Sequence, residues 1–173
     1  MELSLQILLT LIPVLFVAVS NYYLVRGFLE NEDKRRKMEI RQSTKEIITP
    51  VRLQAYERVV LFLERITPNS LVMRVHKNGM SGKLLQAELI KNIRSEYEHN
   101  MSQQVYMSNQ AWEVVKTAKE ETVKLINIAS THVADTASGM ELGNVVIEIA
   151  AQIPKLPTQV GIEALKKELS IEF

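Results

Sequence analysis

The alternation of apolar and polar positions divides the chain into two unlike parts. From Leu5 to Val25 the run LQILLTLIPVLFVAVSNYYLV carries no charged residue. As an α-helix it extends roughly 31 Å, about the thickness of a bilayer's hydrocarbon core. Its polar members are mild and lie mostly near its ends. Tyr22 and Tyr23 fall where amphipathic rings favour the headgroup level. Pro13 sits mid-span, which a membrane helix tolerates better than a soluble one. The pattern predicts a transmembrane anchor over residues 1–26, with Leu5, Pro13 and Val25 marking its two ends and its middle. A cleaved signal peptide fits less well: it opens on Lys or Arg, whereas this chain opens MELS, although Ala18–Ser20 loosely resembles a cleavage site. A buried core helix would show a polar face, and this stretch has almost none.

Residues 27–49 change character. Acids and bases follow one another, and Phe28, Leu29, Met38 and Ile40 do not repeat at heptad spacing. The expectation is a charged juxtamembrane helical stalk, either solvated or supported by a partner. Thr49-Pro50 reads as a helix start, with Thr as cap and Pro at the first position.

Beyond it, residues 50–173 show helical periodicity throughout. VRLQAYERVVLFLERI sets Leu53, Tyr56, Val59, Val60, Leu63 and Ile66 on one face, widened by Leu61 and Phe62. TPNS breaks this helix, LVMRV after it is too short to assign, and HKNGMSG is a loop. Ser81 caps a helix facing inward through Leu84, Leu85, Ala87, Leu89, Ile90, Ile93 and Tyr97. A further helix from about Ser108 turns Ala111, Trp112, Val115, Ala118, Thr122, Val123, Leu125, Ile126 and Ala129 to the core. On its outer side Lys116–Glu120 and Glu120–Lys124 stand at pairing distance. NVVIEIAAQI is stopped by Pro154, and Pro157 opens the last helix, with Val160, Ala164, Leu165 and Leu169 on a stripe. The fold class is therefore all-α: an anchor, a stalk, then a small bundle of four to five helices.

Charge fixes the expected orientation. Arg26, Lys34, Arg35, Arg36, Lys37, Arg41 and Lys45 follow the apolar run, and no Lys or Arg precedes it. The positive-inside rule puts the N-terminus outside and the C-terminal domain in the cytoplasm, on the inner membrane of a bacterium. Arg26 and the Lys34–Lys37 cluster could also meet anionic headgroups, at about 1 kcal/mol per basic residue near the surface. Glu30, Glu32 and Asp33 dilute that attraction. Over the whole chain 21 Lys+Arg balance 20 Asp+Glu, a net charge of +1, which gives no field to gather nucleic acid. Cysteine is absent, so disulfides, thiolate metal sites and a cysteine nucleophile are excluded.

Candidate chemistry is sparse. Glu96 and His99 have the i,i+3 spacing that carboxylate-bridged bundle proteins use, but the sequence lacks the second such pair. They are the weak candidates for a metal, against the alternative of a surface pair. Ser130, His132 and Asp135 are triad residue types, yet they crowd into one helical turn and there is no G-x-S-x-G. KNGMSGK lacks the phosphate-loop pattern. No catalytic residue, metal or cofactor is expected, and an enzyme is not. The remaining signals are for interaction: Tyr106, Met107 and Trp112 form a candidate partner surface, against the alternative that Trp112 is the bundle's largest core residue. The C-terminal helix, basic at Lys166-Lys167 and apolar at Ile171 and Phe173, is expected to dock on the bundle.

The runs ITPVRLQAYERVVLFLERITPNSLVMRV and LLQAELIKNIRSEYEHNMSQQVYMSNQAWEVVKTAKEE resemble a family of small, single-pass membrane-anchored helical proteins of Bacteroidota-type bacteria with no assigned function. The resemblance covers most of the chain and implies an inner-membrane location. It brings no catalytic residues. The expected function is a membrane-anchored cytoplasmic interaction or scaffolding protein, a subunit of a membrane-associated assembly. Its expected partners are the bilayer and a membrane or cytoplasmic protein, with a homo-oligomer among the options. The alternatives are a carboxylate/His metal-binding bundle enzyme centred on Glu96 and His99, and an anionic-lipid surface sensor.

Overall fold

A computed structural model describes residues 2–172, without the side chains of residues 2–10, 12, 13, 171 and 172. The protein is all-helical: α1 (Glu2–Arg65), α2 (Pro68–Val75), α3 (Gly82–Asn100), a short 3-10 helix (Met101–Tyr106), α4 (Asn109–Thr131), α5 (Gly139–Gln152) and α6 (Pro157–Glu172). It divides into two compact units, Met1–Pro50 and Val51–Phe173.

In the first unit every apolar side chain described is exposed. Three pairs one helical turn apart lie along it: Arg26 with Glu30 at 3.0 Å, Arg35 with Glu39 at 2.9 Å and Arg36 with Glu32 at 3.3 Å. The predicted helix start at Thr49-Pro50 is corrected, because α1 is helical on both sides of it. Pro50 removes one backbone donor, the one that would serve the carbonyl of Glu46. Glu46 is exposed, so water can take that role. Among the described residues no helix is long and apolar enough to cross a membrane. Of the predicted span, the side chains of residues 5–10, 12 and 13, Leu5 and Pro13 among them, lie outside the described residues; Val25 is described, and it is exposed.

The second unit closes around one core. Tyr56, Val59, Phe62, Leu63 and Ile66 of the α1 end and its turn are buried together with residues of all five later helices. The predicted face of this helix is shifted by a small rotation. Ala55 and Phe62 are buried, Leu53 and Leu61 are exposed, and Val60 is half-buried. The stretch around LVMRV is helix α2, started by Pro68 as its first residue. In α3 the inward set is Leu85, Leu89 and Ile93, whereas Leu84 and Ala87 face solvent. In α4 the predicted face is buried from Ala111 to Ala129 apart from the half-buried Val123, and Thr122 is satisfied there by donating to the Ala118 carbonyl at 2.8 Å. In α6 the inward residues are Thr158, Ile162 and Leu165, and Val160 is exposed. The predicted outer pairs of α4 are replaced by Lys116–Glu113 at 2.6 Å and Lys119–Glu120 at 2.7 Å.

Helix starts follow side-chain chemistry. Ser81 accepts from the Leu84 N–H at 3.3 Å and Ser108 from the Ala111 N–H at 3.1 Å. Ser138 and Glu141 form a reciprocal capping box, so α5 begins at Gly139, five residues ahead of the expected NVVIEIAAQI. Two of these starts are joined. Ser81 and Ser138 form an isolated antiparallel bridge in which Gly82 N–H donates to Ala137 O at 2.8 Å and Gly139 N–H to Met80 O at 2.7 Å. A Cβ on Gly139 would stand 3.0 Å from the Met80 carbonyl oxygen and 3.2 Å from its Cβ. Backbone cannot swing aside as a side-chain tip can. Gly139→Ala is therefore expected to destabilise the bundle by about 1–3 kcal/mol, read as a lowered urea midpoint.

Candidate functional site

The predicted partner surface does not exist as an exposed cluster. Trp112 is buried and stacks on Tyr97, with ring centroids 5.6 Å apart and planes at 25°. Phe62 meets the same tyrosine ring at 6.0 Å, and the Lys119 ammonium lies 4.3 Å from its centroid. Met107 is buried as well, and only Tyr106 of the three stays open. The reason is spacing: Trp112 lies on the Ala111–Val115–Ala118 face of α4, which packs inward. The alternative weighed for Trp112, a core residue, describes its place.

Glu96 and His99 also part company. Glu96 Oε1 accepts from Arg65 Nε at 2.7 Å and Arg74 Nη1 at 2.8 Å, while Arg74 Nη2 donates to the Arg65 carbonyl at 3.2 Å. Burial pushes the Glu96 carboxyl up, but the two guanidinium groups outweigh it and hold it below the ordinary glutamate value. The carboxylate thus ties α3 to α2 and the end of α1. His99 is exposed. Among the described residues no three His, Asp or Glu side chains gather where they could hold a metal ion.

The loop segments KNGMSGK and STHVAD, which read as unrelated, are brought together by the Ser81–Ser138 bridge. Lys83 Nζ stands 3.2 Å from Asp135 Oδ1, both well exposed. Such a pair contributes little to stability. His132 Nδ1 lies 2.8 Å from the Ile128 carbonyl and Ser130 Oγ donates to the Asn127 carbonyl at 2.7 Å. Serine and imidazole are each engaged with their own helix end, and no nucleophile–base contact forms between them.

One polar cluster was not anticipated. Glu168 of α6 accepts from the Tyr56 hydroxyl in a short hydrogen bond, from the Ser108 N–H at 2.9 Å and from the Ser108 hydroxyl at 2.5 Å. It borders a groove of about 530 Å³ between α4 and α6 whose walls include Gln110, Val114, Ala164 and Lys167. Arg52 adds positive charge nearby and donates from Nε to the Tyr106 carbonyl at 2.9 Å. Burial raises the Glu168 carboxyl; the Ser108 and Tyr56 hydrogen bonds and Arg52 together lower it further, to a net value below the ordinary one. Nothing in the sequence marks Glu168, because its partners come from Tyr56 and Ser108, far away along the chain. A glutamate whose folded value is depressed stabilises the fold above its unfolded value of about 4.3, and that contribution is lost as pH falls through the folded value. Acid unfolding should therefore be less steep below pH about 4.3 in Glu168→Gln than in the parent, and likewise in Glu96→Gln, when helix content is followed against pH.

These clusters join helix to helix, and their polar atoms are spent on one another; among the described residues no buried side-chain N or O lacks a partner. What stays open is the face of α1 within residues 14–50, where apolar side chains stand in solvent beside charged ones. Fold and site together define an all-helical protein with a helical bundle and a long exposed helix. The chain belongs to DUF7935, a family of unknown function, whose model matches residues 2–171. No curated protein and no solved structure matches it.

Proposed function

We propose that the protein is a membrane-anchored interaction or scaffolding subunit, held at the inner membrane by residues 1–26 with the bundle on the cytoplasmic side. The observation that carries this reading is the contrast between the two units. In the bundle, polar groups pair with one another. In Met1–Pro50, large apolar side chains such as Phe16, Leu24 and Phe28 are about 70% exposed, a surface water alone does not stabilise. The uncharged run to Val25 and the basic residues after it supply the bilayer and the orientation.

The basic cluster is partly neutralised by the Arg35–Glu39 and Arg36–Glu32 pairs. That favours a topology signal in Arg26 and Lys34–Lys37 over a lipid sensor. In cells, the full chain is expected to stay with membranes through alkaline carbonate washing. A reporter joined after Phe173 is expected to be active only in the cytoplasm. Recovery of the chain in the wash, or a reporter active outside, overturns the proposal.

A further inference from the structure

The exposed helix repeats every eleven residues. Eleven steps of about 100° return to within roughly 20° of the starting direction, drifting in the opposite sense to the heptad. Ala18, Leu29 and Ile40 stand eleven apart, and so do Val25, Arg36 and Ile47. Tyr22, Asp33 and Thr44 fill the third column between them. All three columns fall within about 60° of one direction on the helix. The apolar members are exposed, from Val25 at 56% to Ile47 at 69%. Phe28, Met38 and Ile48 point elsewhere, each at least about 100° from Leu29 and spread over about 160° of the helix.

The charges on either side of this stripe are sorted. Glu32, Glu39 and Glu46 run along one edge; Arg26, Lys37 and Arg41 run along the other. Two residues go against this sorting, Glu30 and Arg35, and each is paired within the helix, to Arg26 and to Glu39. Arg36, in the stripe, reaches Glu32 on the acidic edge.

We infer that this stripe is the seam of a parallel, in-register association with a second copy of the same chain. Charge decides the orientation. When two identical helices pack in parallel about a two-fold axis, the acidic edge of each meets the basic edge of the other. In the antiparallel arrangement acid meets acid and base meets base, which is repulsive. Two polar layers decide the register. Asp33 and Arg36 are one turn apart in the seam, so each aspartate can reach the arginine of the other copy. A slip of one repeat would bring Val25 or Ile47 of the other copy to the place of its Arg36, and leave the charge unmatched. An eleven-residue repeat gives a nearly straight or slightly right-handed pair, which is why heptad spacing is missing. The inference goes beyond the proposed function and does not depend on the bilayer.

The chain has no cysteine, so single cysteines can be introduced without removing any. In the full-length protein in cells, Leu29→Cys, Ile40→Cys and Ile47→Cys are each expected to give a disulfide-linked dimer under mild oxidation. Lys34→Cys, Met38→Cys and Lys45→Cys, on the far side, are expected to give several-fold less. Adding Ile40→Asp to Leu29→Cys should reduce its dimer to the far-side level. Equal yield around the helix would mean random collision and overturn the inference. So would self-crosslinking at one stripe position only, which marks an antiparallel crossing, or no dimer at any. Each readout differs from the carbonate and reporter tests, which can fail while the seam stands.

Discussion

Replacing Trp112 with alanine is expected to lower the stability of the bundle by about 3–5 kcal/mol, the range for removing a buried aromatic side chain. Trp112 is buried, as are Ala111 and Val115 beside it, and its ring covers Tyr97, which in turn meets Phe62. Truncation therefore removes apolar contact and also leaves one face of the tyrosine uncovered, in a place the rigid α3–α4 packing cannot fill by collapse. Trp112→Phe keeps a ring in the stack and should retain most of the stability. The measurement is urea unfolding of the purified protein followed by helix content. If Trp112→Ala unfolds at the parent's midpoint, the side chain is not a core element, and the partner-surface reading of Tyr106, Met107 and Trp112 returns.

The second large effect is at the meeting of α1, α4 and α6. Leu63 is fully buried, and a Cβ added to Gly161 would stand 2.9 Å from its Cδ1 and 3.5 Å from the Ala118 Cβ. Leu63→Ala is expected to cost about 2–5 kcal/mol, through lost burial and the cavity left behind. Gly161→Ala alone should be destabilising, because the new methyl meets the leucine. Placed together, the two changes partly cancel, the alanine methyl moving into the space the leucine vacates. The double variant should therefore be more stable than the sum of the single effects predicts, by about 0.5 kcal/mol or more, in a four-protein denaturation cycle. Strict additivity would mean that α6 and α1 do not touch here as described.

Much of the bundle was legible because its helices obey one rule at a time. The face of α4 from Ala111 to Ala129 is a regular 3.6-residue pattern, and the structure buries it. Ser81 is readable as a cap because a hydroxyl ahead of an apolar run has one local use, and the helix start near Ser108 proves to be a cap of the same kind. The early start of α5 has a local signal as well: Ser138 and Glu141 stand at capping-box spacing in the sequence. Leu53, Leu61 and Val160 went wrong because an apolar residue at the margin of a broad stripe is buried or bare according to what lies opposite, which local spacing does not carry. Pro50 shows the same dependence on surroundings: its spacing marks a helix start, while the exposed Glu46 carbonyl it leaves free is open to water and α1 runs on.

The site chemistry was harder. Tyr56 of α1, Ser108 at the cap of α4 and Glu168 of α6 meet from distant parts of the chain, and Arg65, Arg74 and Glu96 from three separate helices. No spacing rule connects them. Conversely, Glu96 and His99 satisfied a spacing rule and still have different fates, since the two arginines claim the carboxylate and leave the imidazole in solvent.

The bridge between Ser81 and Ser138 also sets an order of events during synthesis. Residues 80–82 leave the ribosome well before 137–139, so α3 is complete while the strand-like partner that closes its first turn has yet to be made. Until then Leu85 and Val72, which the arrival of Leu142 and Gly143 will cover, remain open to water and to other nascent chains. Between those two moments that apolar surface is open to a chaperone's grip.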